Sequence, residues 1–479
     1  MPAGFTISPS FFPETMRMRR FALLLCAGLF PSLGAAQGFG VYEHNTCAMA
    51  RAGVTAASPC ADGSAIYFSP AGLAGLSGTH FTAGVTLIGA QGSFTDDFLA
   101  RQTKLDNPII PVPNAYFTHA FSPKVTAGIG LFAPYGLETK WPTDNFEGRF
   151  VGYNTDIRSI YIQPTIGYQV TPRLKIGLGV AYITSRLKLH QRADFSTQIV
   201  PSAALPPGTP FSALGIPTGT DFADAELEAT GTGFAINFGG ILKINDRLSI
   251  GGHWITRKTI KYDGSATFTP VPTGLILPIG HKIQLPANGA LCDTLSPCNV
   301  DNVVAPFFLP GQPLSPGNVS TSITMPPQGT LGFSYKVNDS WTVMADYQLV
   351  VWGWFNTVNI DFANAGTPDI QLHPQNKDTH GFRFGTEYRY SPKVVLRGGY
   401  LYHTASSPSN FVTPLLPEAA RNEFTVGAGI DLTPKLHADL AYQYIRQNDR
   451  RGLVNVSAGN TGVYAFSAHL FGAGLAYTF

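Results

Sequence analysis

Residues 421–444 read RNEFTVGAGIDLTPKLHADLAYQY. Phe424, Val426, Ala428, Ile430 and Leu432 fall on one side of an extended chain, with Glu423, Thr425, Gly427, Gly429 and Asp431 on the other. After Thr433-Pro434-Lys435 the alternation resumes, and Leu436, Ala438, Leu440, Tyr442 and Tyr444 oppose His437, Asp439, Ala441 and Gln443. Successive side chains of a strand point to opposite faces, so this stretch predicts two antiparallel strands joined by a tight turn. The same period marks 381–390, where Phe382, Phe384, Tyr388 and Tyr390 oppose Arg383, Glu387 and Arg389. It returns at the C-terminal end, where Phe471, Ala473, Leu475, Tyr477 and Phe479 share a face. A soluble β-sandwich also alternates. Here the apolar rows end in aromatic side chains, which settle at a membrane–water interface.

Composition points the same way. Of 479 residues, 44% are hydrophobic, 12% aromatic and only 13% charged. An ordinary soluble domain carries about 25% charged residues. Too little charge remains to clothe a water-exposed surface of this size, which argues against a cytosolic enzyme. Plentiful aromatics and β-branched residues argue against disorder. The formal net charge of +2 gives no electrostatic case for nucleic acid.

The N-terminus reads as an export signal. Arg17, Arg19 and Arg20 precede an apolar run from Phe21 to Phe30, followed by Gly34-Ala35-Ala36 and Gln37. A basic region, a short apolar core and small residues before a cleavage point make a secretory signal peptide over 1–36. Its removal takes three Arg and one Glu and leaves 29 basic and 29 acidic residues. Beyond it no apolar run reaches 18 residues, so no transmembrane helix is expected. A closed β-barrel is the remaining way to cross a membrane with every backbone group paired.

Alternating segments near 79–92, 112–121, 125–134, 157–170, 174–192, 222–244, 247–268, 319–337, 340–362, 377–390, 393–405, 421–432, 436–448 and 463–479 predict fourteen strands. Six connections are very short, such as Ser122-Pro123-Lys124, Asn245-Asp246 and Ser391-Pro392, and the others are longer. Short periplasmic turns and long extracellular loops characterise outer-membrane barrels. The expected fold is therefore an all-β, 14-stranded antiparallel transmembrane β-barrel over 79–479. The Ala- and Gly-rich residues 37–78 lack strand alternation and are expected to be an N-terminal plug inside the lumen. A periplasmic tail is the alternative.

Long stretches of the loops carry no charge, including 195–220 and 302–335, the second with Phe307 and Phe308. Such loops either pack on one another as a cap or offer an apolar capture surface. Cys47 with Cys60 and Cys292 with Cys298 are two near pairs that an exported protein could oxidise. No metal-ligand spacing, phosphate loop or nucleophile motif is present, so no cofactor and no catalysis are expected.

Gly38-Phe39-Gly40, Ala50-Arg51-Ala52-Gly53-Val54 and the run from Asp62 to Gly72 resemble the N-terminal hatch of the FadL family of outer-membrane transporters for long-chain fatty acids and other hydrophobic compounds. Pro134-Tyr135-Gly136-Leu137-Glu138-Thr139, Trp141, Gly148-Arg149-Phe150, Gly251-Gly252-His253-Trp254 and Pro417-Glu418-Ala419-Ala420-Arg421 extend the resemblance to Phe479. The family's Asn-Pro-Ala hatch motif reads Ser69-Pro70-Ala71 here, without the amide donor. The resemblance implies loop capture, passage through a lumen pocket, hatch movement and lateral exit beside a kinked strand. Phe132, Pro134 and Gly136 are the candidates for that lateral gap, since Pro134 cannot donate a ladder bond. Arg149, Arg158 and Arg421 are candidates for pairing a fatty-acid carboxylate, with Phe307 and Phe308 for its apolar part. The expected partners are a fatty acid or aromatic hydrocarbon, together with outer-membrane lipid and lipopolysaccharide, and the expected state is a monomer. A general diffusion porin or an adhesin is the alternative.

Overall fold

The computed structural model describes residues 40–41, 43–144, 146–200, 205–277, 283–285, 289–292, 297–355, 358–364, 367, 369–372, 376–408, 411–453 and 458–479. The expected signal peptide lies outside the described residues. Twenty strand segments form one antiparallel sheet and join into fourteen staves.

The first six staves are β1 (Thr79–Asp96), β2 (Ile110–Ser122, extended by Gln102–Lys104), β3 (Val125–Lys140), β4 (Asn154–Gln169), β5 (Leu174–Ala193) and β6 (Ala223–Lys243). Four follow in two pieces each: β7 (Leu248–Ile255, Lys258–Pro270), β8 (Gly317–Met325, Gln328–Lys336), β9 (Trp341–Val350, Val358–Phe362) and β10 (Ile370–Leu372, Thr379–Arg389). The last are β11 (Val394–His403), β12 (Arg421–Thr433), β13 (Leu436–Gln447, extended by Arg450–Gly452) and β14 (Gly462–Thr478). Each pairs with the next, and β14 returns to β1, from His80↔Thr478 to Asp96↔Gly462. The sheet has no free outer edge and the barrel is closed.

The sequence reading treated β7, β8 and β9 as unbroken strands. The structure interrupts all three at one level, at Thr256-Arg257, at Pro326-Pro327 and after Val350. Two consecutive prolines offer no N–H to a ladder, so β8 breaks there and its neighbours follow.

The six short turns share one device. The side-chain oxygen of Ser122, Thr171, Asn245, Asn338, Ser391 or Thr433 accepts the N–H two residues on, at 2.9–3.3 Å. These are the short-range side-chain turns that Ser, Thr and Asn favour. Outward rows carry Ile162, Ile166, Leu178, Phe234, Phe382, Phe424 and Phe471, all exposed for want of anything but lipid against them.

Inside the ring lies the segment 43–76, almost wholly buried. It comprises α1 (Thr46–Ala50), α2 (Ala65–Phe68) and a 3-10 turn, Pro70–Gly75. Asn45 caps α1, its Oδ1 accepting the Ala48 N–H at 2.9 Å.

Candidate functional site

The inner segment is fastened to staves right around the wall. Asp346 on β9 accepts the N–H groups of Thr55 (2.9 Å) and Ala56 (3.1 Å) through one oxygen. Gln163 on β4 donates to Ile66 O (2.6 Å), Asn237 on β6 to Tyr67 O (2.8 Å), and Thr425 on β12 to Ala50 O (3.1 Å). Arg51, 2% exposed, faces Glu387 on β10 at 3.7 Å. Glycines let the segment press close. A Cβ at Gly177 would lie 2.1 Å from the Pro70 carbonyl carbon, and one at Gly251 2.2 Å from Ala56 O. Cys47 and Cys60 form a disulfide within the segment. Cys298 is also disulfide-bonded, while the side chain of Cys292 lies outside the described residues. In the motif 69–71, the buried Ser69 hydroxyl donates to Ala56 O at 3.1 Å, so it holds two stretches of the segment together.

Above α2 the segment meets the wall in a box of aromatic rings. His44 is stacked between Phe68 (4.7 Å) and Phe132 (5.1 Å), with Tyr67 edge-on at 4.4 Å and the Tyr116 hydroxyl 3.1 Å from Nδ1. Burial holds the His44 imidazole down to about 3, so it is neutral at any physiological pH. Phe132 leads to Tyr161 (5.9 Å), and Tyr161 to Tyr135 (6.2 Å).

Beside Tyr135 stands Lys258, the first residue of β7 after its break, 1% exposed and on the inward row of Ile260 and Tyr262. Its ammonium donates to Tyr135 Oη at 2.9 Å and lies 4.4 Å from that ring. Among the described residues it has no carboxylate within ion-pair distance. The Tyr161 hydroxyl, equally buried, has no hydrogen-bond partner among them either. A buried cation without a counter-ion is costly, and here it lies against the same Tyr135 ring that packs on Tyr161, whose hydroxyl is unsatisfied.

Tyr135 itself lies at a defect in the wall. β3 pairs with β2 only from Val125 to Leu131 and runs unpaired with it above. Its pairing with β4 slips between Phe132 and Tyr135. β2 meanwhile keeps its other edge on β1 through Pro111 and Pro113. Prolines thus stand on both banks, Pro111 and Pro113 facing Pro134, and each removes a donor that could bridge them. The gap closes again above, where Asn107 donates to Glu138 O (2.6 Å) and accepts the Lys140 N–H (2.7 Å). Inside it the chain itself supplies a partner: Gly40 bridges Tyr135, and the Val41 N–H donates to Pro134 O at 2.8 Å. Phe132, Pro134 and Gly136 all lie on this stretch.

The arginine candidates are dispersed. Arg149 is buried in a loop clamp, bonded to Asp221 (2.8 Å), Phe146 O and Gly219 O, and stacked over Phe150. Arg421 sits at the top of β12 against Glu423 (2.6 Å), whose carboxylate also takes the Gln443 amide that reaches Glu43 of the inner segment. Arg158 requires a correction. It lies on the outward row of Ile160 and Ile162, exposed and paired with Asp156 (2.8 Å) and Glu138 (3.3 Å), so it does not reach the lumen.

The uncharged loops largely bury one another. Phe195, Phe211, Phe222, Val300, Val304 and Phe307 belong to one apolar core continuous with the barrel top. Phe308 instead lines a cleft of about 340 Å³ with Pro310, Pro316, Asn318 and Asn364.

Residues 29–479 match the family described as outer membrane protein transport protein (OMPP1/FadL/TodX). A long-chain fatty acid transport protein of Escherichia coli (strain CFT073) is 20% identical over 96% of this chain and 98% of its own length. A Pseudomonas aeruginosa FadL homologue superposes with a TM-score of 0.75 at 17% identity, over 92% of this chain and 100% of that one. The toluene transporter TodX of P. putida gives a TM-score of 0.65 at 17% identity, over 91% and 98%.

Proposed function

We propose, given that the chain belongs to the OMPP1/FadL/TodX family of outer membrane transport proteins, that its cargo is a long-chain fatty acid. The protein is an outer-membrane transporter of hydrophobic compounds and not an enzyme. Among its relatives and structural neighbours are both a fatty acid transport protein and a toluene transporter. The observation that favours the acid is Lys258, a buried ammonium with no carboxylate partner among the described residues, on the same Tyr135 that packs against Tyr161, whose buried hydroxyl lacks a partner. A fatty carboxylate would accept from both, and its chain would lie along the apolar inner rows. An aromatic hydrocarbon would leave the Tyr161 hydroxyl without a partner and the Lys258 ammonium without a counter-charge.

The route follows from the same residues. Cargo enters by the loop cleft at Phe308, slips past the apolar roof and rests beside Lys258 and Tyr161. Residues 40–41 then release Pro134 and Tyr135, and the cargo leaves through the gap between β2 and β3. An apolar solute moving between apolar surfaces needs no wide aqueous pore. The segment 43–76 acts as the plug that keeps the lumen closed to ions.

The test is uptake of labelled oleate and labelled toluene into outer-membrane-intact cells with and without the protein, and with Lys258→Met. Oleate uptake that the protein stimulates and Lys258→Met abolishes is the expected result. Stimulation of toluene alone, or oleate uptake indifferent to Lys258→Met in a folded barrel, overturns the carboxylate assignment.

A further inference from the structure

Five of the six short turns carry a cation at the same position. Lys124, Arg173, Arg247, Lys393 and Lys435 each supply the N–H received by the turn's Ser, Thr or Asn, and each is exposed. The turn itself does not demand a basic side chain there, since Ser340 fills the position in the sixth. Strand ends just above add Lys243, Lys336 and Arg389, also exposed.

Their placement along the rim is as regular as their charge. Arg389, within its strand, alternates onto the row of Gly385, which touches the inner segment and so faces the lumen. Arg173, Arg247 and Lys393 stand in the turns directly before the strands that carry Gly177, Gly251 and Gly399, which also touch that segment. The outward rows at this level hold Phe121, Tyr168, Tyr388 and Tyr390 instead. The cations therefore ring the periplasmic mouth, and the aromatic side chains meet the lipid.

Little acid offsets them. Asp246 and Asp339 are the carboxylates of the turns, and Asp246 is engaged by Lys243 at 2.7 Å. Farther in, Asp431 is held by His437 (2.6 Å) and Glu387 by Arg397 (2.9 Å).

We infer that this ring is a docking surface for an acidic periplasmic protein seated over the mouth. Phospholipid headgroups lie outside the wall, beyond the aromatic row, whereas an occupant of the inward rows must come along the barrel axis from the periplasm. Fourteen strands about 4.8 Å apart and tilted about 40° enclose a ring about 28 Å across. With its rim that area is on the order of the ~800 Å² each partner contributes to a stable protein–protein interface. Charge of one sign at such a mouth steers encounter and makes it salt-dependent.

The test uses the full barrel in nanodiscs of neutral phosphatidylcholine and fluorescein-labelled poly-L-glutamate, read by anisotropy. Binding should fall at least tenfold in Lys124→Glu/Lys393→Glu/Lys435→Glu and at least tenfold between 50 and 300 mM NaCl, estimates on the order expected for several screened charges. Neutral replacements, Lys124→Gln/Lys393→Gln/Lys435→Gln, should give an intermediate loss should the reversed form fail to fold. Arg186→Glu/Lys188→Glu on the extracellular side should change nothing. Binding equal in the rim variants and the parent, or equally good binding of poly-L-lysine, overturns the proposal. So does loss of poly-L-glutamate binding when phosphatidylglycerol replaces the neutral lipid, which would assign the ring to headgroups.

Discussion

Replacing Asp346 with Ala should release the inner segment while leaving the barrel intact. One carboxylate oxygen of Asp346 accepts two backbone N–H groups, from Thr55 at 2.9 Å and Ala56 at 3.1 Å. Both donors are buried, 3% and 0% exposed, and no water can replace the acceptor without movement. Leaving a buried donor unsatisfied costs about 1–3 kcal/mol, so the pair is worth roughly 3 kcal/mol to the seated state. That shifts the balance between seated and released segment by about two decades. The strand ladders Gly332↔Asp346 and Asp346↔Arg383 are backbone pairings and survive the change. Ion conductance in planar bilayers should therefore rise from rare brief openings to openings about a hundredfold more frequent. Heat-modifiable migration on gels should confirm a folded barrel. Asp346→Asn keeps one acceptor oxygen and should fall between. A folded Asp346→Ala barrel with parental conductance would refute the reasoning, because the segment would then be held without its anchor or would not plug the pore.

Replacing Pro111, Pro113 and Pro134 together with Val restores donors on both banks of the gap. One or two new ladder bonds of about 1 kcal/mol each should slow oleate uptake roughly tenfold, with loop capture unchanged; undiminished uptake would place the exit elsewhere. Cys47→Ser/Cys60→Ser should loosen the inner segment, since closing a loop of this size contributes about 2–4 kcal/mol; more frequent conductance bursts, reproduced by reductant on the parent, are the readout. His44 gives a pH dependence. Its seated form holds the imidazole near 3, against about 6.5 when released. The released form therefore binds more protons below pH 6.5, and seating weakens as pH falls from there towards 3, by about 2 kcal/mol at pH 5. Conductance should rise on acidification to pH 5, and His44→Phe, which keeps the ring stack, should flatten the rise.

Much of the fold was legible because a barrel wall is periodic. One buried and one lipid-facing row per strand leave alternation in the sequence, and Ser, Thr or Asn two residues before a turn's end marks each reversal. The Pro326-Pro327 break was written in the sequence too, but alternation continues in phase on either side and hides it. Arg158 was misplaced although its row, shared with Ile160 and Ile162, already points outward; the ordinary alternation rule would have excluded it. Lys258 gave no such signal, because a single inward cation above Ile260 and Tyr262 differs little from a snorkelling lysine. The aromatic box draws His44, Phe68, Phe132 and Tyr161 from four separate stretches, and only the closed ring brings them together. Arg149 and Arg421 were singled out as partners for a fatty-acid carboxylate, whereas in the structure each is engaged by a carboxylate of the chain, Asp221 and Glu423.

Tyr135 ties these features into one equilibrium. It bridges Gly40 across the gap, carries the Lys258 ammonium on its hydroxyl and ring, and packs on Tyr161. A carboxylate drawing Lys258 away from Tyr135 therefore acts on the residue that holds the segment's leading end, while Asp346 holds Thr55 and Ala56 farther along. If cargo binding and segment release are coupled in this way, the coupling is reciprocal: whatever factor cargo contributes to release, prior release must return to cargo affinity. Asp346→Ala, which touches neither Lys258 nor Tyr161, should then change the affinity for oleate measured on detergent-purified protein. The expected direction is tighter binding, because the cargo no longer has to do the work of unseating the segment. The gain is bounded by the roughly 3 kcal/mol of the lost anchor, about a hundredfold at most. Lys258→Met combined with Asp346→Ala should conduct ions as the single Asp346→Ala does, yet gain no oleate affinity. A hundredfold rise in conductance with oleate affinity unmoved would show that the plug and the Lys258 site open independently, and the shared Tyr135 contact would be packing alone.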